Sequence, residues 1–121
     1  MNTVTPASAQ VLSIAGFSTY AEADALLTAS KSDTSLGRVS YNLWSAINDF
    51  KSAESNLTAA LTQVAKEATK ELQNLANGCS PSTTWVIGYA DDAKKYQVIM
   101  ESSIKTIKEI SALRNLLLEG K

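Results

Sequence analysis

The chain contains no histidine and a single cysteine, Cys79. Without an imidazole the commonest general base is missing, so a serine or cysteine nucleophile would have no ordinary proton acceptor. One thiol excludes a disulfide within the chain, and with no histidine beside it a Cys/His zinc site has no ligand set. Two prolines and five glycines in 121 residues leave few places where the backbone must turn. Eleven basic residues stand against twelve acidic ones, so no net positive field exists to draw in nucleic acid or an anionic membrane. No apolar run approaches the roughly 20 residues needed to cross a bilayer. Gly-rich phosphate loops are absent. The opening MNTVTPASAQVLSIAGF has no basic segment ahead of its apolar part, which predicts a cytoplasmic protein or one exported without a cleaved leader. No enzyme activity, cofactor or metal is expected.

What is present is apolar residues at helical spacing. They make up 45% of the chain, enough for one globular domain rather than a disordered one. Leu36, Leu43, Ile47, Phe50, Leu57, Leu61, Val64, Ala68, Leu72 and Leu75 recur at steps of three, four and seven, which places them on one face of a helix. Ser35 opens this helix and Asn77-Gly78 stops it. Trp85, Tyr89, Ala93, Tyr96, Met100, Ile104, Ile107, Ile110 and Leu117 repeat the pattern. Between the two, NGCSPSTT supplies a turn, with Thr83 or Thr84 as the next cap. Neither stripe can be buried alone. The expectation is therefore an all-α fold: a long antiparallel helical hairpin of 35–78 and 84–119 joined by a turn at 79–83.

Ahead of the hairpin, residues 1–34 predict two short helices. Thr5-Pro6 opens the first, which runs through Val11, Leu12 and Ile14 to Gly16. Ser18 opens the second, with Tyr20, Ala23, Leu26 and Leu27 on one side. No strand is predicted, because β-branched residues nowhere alternate with polar ones for long enough. Whether the short helices cover the hairpin to make a four-helix bundle, or leave it open, is not decided by spacing.

Three local features invite a chemical reading, and each has a plainer one. Cys79 precedes a helix start, which invites a reactive-thiol reading, but it is foremost a small residue in a turn. Asp91 and Asp92 are adjacent in a helix and point about 100° apart, so they make a solvated face rather than a metal clamp. Asn56-Leu57-Thr58 matches a glycosylation sequon, yet it falls mid-helix. Binding has more to stand on. Tyr41 and Trp44 lie off the first stripe, and Ile87, Val98 and Leu116 lie off the second. With Lys105 and Lys108, the residues Tyr41, Trp44, Val98 and Leu116 form the candidate interaction surface.

The segment KKYQVIMESSIKTIKEISALRNLLLEGK carries Tyr96, then Glu101-Ser102-Ser103, then Ile104-Lys105, Ile107-Lys108-Glu109 and Ile110. This resembles the C-terminal helix of the needle and inner-rod proteins of type III secretion systems, in which a tyrosine precedes a polar stretch and an aliphatic–lysine ladder. The turn LANGCSPST, through Leu75, Ala76, Pro81 and Ser82, resembles the turn between the two helices of that family, with one proline here where needles often have two. The resemblance covers about residues 70–121 and leaves the first forty unmatched. It implies a self-associating subunit of a secretion apparatus and a contributor to virulence, with no catalytic residues and lysines facing a lumen or a neighbour. The reading from residues alone leaves open a small helical-bundle adaptor, a chaperone or a phage-encoded inhibitor that binds one protein partner.

Overall fold

The computed structural model describes residues 4–120; residues 1–3 and 121 lie outside it. The described chain is all-α, with no strand: α1 (Pro6–Ile14), α2 (Tyr20–Ala23), α3 (Ala25–Ala29), α4 (Ser35–Ala76) and α5 (Thr84–Glu119). The long helices α4 and α5 form the predicted hairpin, preceded by the short ones.

Each boundary has a local cause. The Thr5 hydroxyl accepts a hydrogen bond from the Ser8 amide, and Pro6 takes the first helical position, where a missing N–H costs nothing. Gly16 ends α1 at φ +88°, and the Phe17 amide reaches back to the Leu12 carbonyl. Gly78 ends α4 the same way at φ +81°, with the Cys79 amide bonded to the Asn74 carbonyl. Both are left-handed caps that favour glycine.

The second short helix is two helices rather than one. Thr19, not Ser18, caps α2 by accepting from the Glu22 amide, while the Ser18 amide donates to the Glu22 carboxylate. The helix breaks at Asp24, whose carboxylate accepts from Trp44. Thr34 rather than Ser35 caps α4, accepting from the Gly37 amide. Gly37, a poor helix former in that first turn, has a packing reason to be there. The Ser32 carbonyl lies against it so closely that a Cβ would overlap the oxygen.

The chain divides into two compact units. The first holds the chain up to Lys51 together with the segment from Glu101. Its core takes Val11 and Leu12 from α1, Ala23 from α2, Leu26 from α3, Leu43, Ile47 and Phe50 from α4 and Ile107 from α5. The large side chains among these are 2% exposed or less. The short helices are tied into this unit by polar contacts as well. The Trp44 indole N–H donates to Asp24 at 3.2 Å, the Lys51 ammonium sits 4.8 Å from the centre of the Tyr20 ring, and the Tyr20 hydroxyl bonds Ser8.

The second unit, Ser52–Met100, is built differently. Its buried apolar residues are small: Ala53, Ala60 and Ala93. Most of the sheltered positions of α4 here fall in one row, Leu57, Ala60, Val64, Glu67, Glu71 and Asn74, with Gln63 and Ala68 half-buried beside it, and along α5 the sheltered positions are Val86, Tyr89, Ala93, Tyr96 and Met100. Both rows step by three and four, the spacing of a helix seam. The predicted stripe is corrected here. Leu61, Leu72 and Leu75 are 53%, 67% and 57% exposed, and Trp85 is 67% exposed, so none of them belongs to the seam. The reason lies at the turn. The Glu71 carboxylate accepts from the Ser82 amide at 2.6 Å, just ahead of α5, and also from the Asn74 side chain. This holds the row containing Glu71 towards the turn. Leu72, next in sequence, points about 100° away.

Candidate interaction surface

Of the residues singled out from the sequence, Tyr41 and Trp44 are brought together, with ring centres 6.1 Å apart. Tyr41 is 51% exposed, whereas Trp44 is half-buried and held by Asp24. Part of the back of α4 is thus covered from within the first unit. Lys105, Lys108 and Leu116 are exposed on α5 in the same unit. Helical phase puts Lys105 and Leu116 on one side and turns Lys108 about 60° from Lys105. Val98 is exposed in the second unit.

The sequence pattern assigned Leu61, Leu72 and Leu75 to the hairpin seam and so missed that they are exposed. Leu61, Ala65, Leu72 and Leu75 are exposed on α4 beside the sheltered row, and Ala68, between them at the same helical spacing, is half-buried. The signal that separates the two rows is the placement of Glu67, Glu71 and Asn74, polar residues that only the sheltered row contains. On α5, Trp85, Ile87, Val98 and Ile99 are also exposed. The Trp85 and Tyr89 rings meet with centres 6.4 Å apart. Scattered apolar side chains are ordinary on a protein surface, whereas Leu61, Leu72 and Leu75 share one side of the same helix.

Residues able to do chemistry are dispersed. Cys79 is exposed in the turn, Asp91 and Asp92 are exposed on α5, and Lys95 lies over the Tyr96 ring at 5.6 Å. Among the described residues no three acidic or cysteine side chains converge to hold a metal ion, and no helix is long and apolar enough to cross a membrane. No protein-family model matches the chain, and no curated protein or solved structure is significantly similar to it.

Proposed function

We propose that this protein is a non-enzymatic, self-assembling structural subunit, with a secretion needle or inner rod as the apparatus that its C-terminal ladder suggests. The observation that carries the reading is the uneven burial. Every fully buried large side chain lies in one unit, while the other leaves Leu61, Leu72, Leu75, Trp85, Ile87 and Val98 open to solvent. A hairpin whose distal apolar residues stay more than half exposed suits a protein that completes its packing against copies of itself. The absence of histidine and the dispersal of acidic side chains support a role without catalysis.

The rival reading is an adaptor or inhibitor that remains a single copy and binds one other protein. The bonds that fasten α2 and α3 to α4, above all Asp24 to Trp44, favour it, because they make the first unit a self-contained bundle.

Deletion of residues 116–121 separates the two. It removes Leu116, 65% exposed and without a place in the core, together with the half-buried Leu117. For an assembly subunit, the mass seen by light scattering rises with concentration in the intact chain and rises less in the truncated one, with helicity retained. For an adaptor, both chains scatter as one copy and the deletion only frays the last helical turn.

A further inference from the structure

We infer that the closed end of the hairpin, from Leu72 on α4 to Ala90 on α5, dips into the surface of a neutral lipid bilayer. The inference goes beyond the self-assembly reading and does not depend on it.

The first argument is the absence of charge. From Leu72 to Ala90 the chain holds no lysine, arginine, aspartate or glutamate. Charge resumes on both helices, at Lys70 and Glu71 on α4 and at Asp91 and Asp92 on α5. The Glu71 carboxylate, which reaches the turn, is taken up by the Ser82 amide and the Asn74 side chain. An ionised side chain is what most opposes entry into lipid, and this end is free of them. With a net charge of −1 and no basic cluster beside the turn, the lipid it suits is zwitterionic rather than anionic.

The second argument is what stands in place of charge. Every residue from Leu75 to Trp85 is exposed, and Leu72, Leu75, Trp85 and Ile87 are each more than half open to solvent. The Trp85 ring leans on Tyr89. Tryptophan and tyrosine, apolar rings with a polar handle, are the side chains that gather at the boundary between membrane and water.

Geometry then favours lipid over a protein partner. Trp85 and Ile87 are two residues apart on α5 and so point about 160° from each other. A protein surface laid against one leaves the other in water, whereas a bilayer that receives the end of the hairpin surrounds both. The uncharged part runs about 9 Å along each helix. Interfacial elements sink to a depth of about 5–10 Å, where headgroups and water still bond the backbone of a turn. No helix has to cross the bilayer.

The test is flotation of the full chain with phosphatidylcholine vesicles, comparing the natural sequence with Leu75→Glu, Trp85→Glu and Val98→Glu. Val98 is equally exposed in the same unit but lies beyond the uncharged end. The expected result is binding that Leu75→Glu and Trp85→Glu each weaken by about tenfold or more and Val98→Glu leaves unchanged, with all four chains equally helical. Lipids brominated along their acyl chains should quench the tryptophan fluorescence of the natural chain. Trp85→Phe should still float but lose the quenching, since Trp44 is half-buried and bonded to Asp24. No flotation, flotation only with anionic vesicles, or binding that survives both glutamates would overturn the inference. Self-association lost in the same two variants without vesicle binding would overturn it as well, and would assign this end to a second copy.

Discussion

Gly37 is where a single atom decides the most. The Ser32 carbonyl occupies the space a side chain would need, so Gly37→Ala should cost about 1–3 kcal/mol through displacement of the α4 start, read as a fall in the thermal midpoint. The preference of alanine for helix would predict the opposite sign. The core gives a second contrast. Phe50 is fully buried, so Phe50→Ala should cost about 3–5 kcal/mol. Leu61 is half open to water, so Leu61→Ala should cost less than about 1 kcal/mol in the dilute protein. Periodicity alone ranks these two residues together, because both fall on the same apolar face. Their difference comes from which neighbours the chain supplies, and that is not written in the spacing of α4.

At the scale of elements, the helices and most of their caps were legible because each depends on a few adjacent residues. Thr5-Pro6, Asn77-Gly78 and the Ser/Thr run before Trp85 fix ends wherever they occur. The break at Asp24 was not legible; the carboxylate there accepts from Trp44, 20 residues away in the chain, a contact that local spacing does not announce. Nor was the choice between the two rows of α4, with which the bond from Ser82 to Glu71 across the loop is consistent. Gly78→Ala tests the turn. Its φ of +81° costs a side chain about 1–2 kcal/mol, so chemical denaturation should show a loss of that size. The lysine ladder gives the complement. Lys105 and Lys108 are exposed, and Lys105→Glu with Lys108→Glu should shift folding by less than about 0.5 kcal/mol. If the ladder takes part in assembly, the same pair of changes lowers the scattering mass at high concentration.

For the whole molecule, the fold class followed from pattern, while the site followed only from burial. Tyr41, Val98, Lys105, Lys108 and Leu116 are exposed, Trp44 is half-buried with its indole bonded to Asp24, and spacing reads Leu61, Leu72 and Leu75 as part of the core. On the proposed reading, the unit with a buried core sustains the fold and the unit with exposed leucines completes itself against other copies. Amide hydrogen exchange at two protein concentrations tests it most directly, since protection reports local opening segment by segment. In dilute solution the amides of Leu43–Phe50 should exchange far more slowly than those of Leu61–Leu75. Raising the concentration should slow exchange in Leu61–Leu75 and leave Leu43–Phe50 unchanged. Equal protection of the two segments, independent of concentration, would contradict the account.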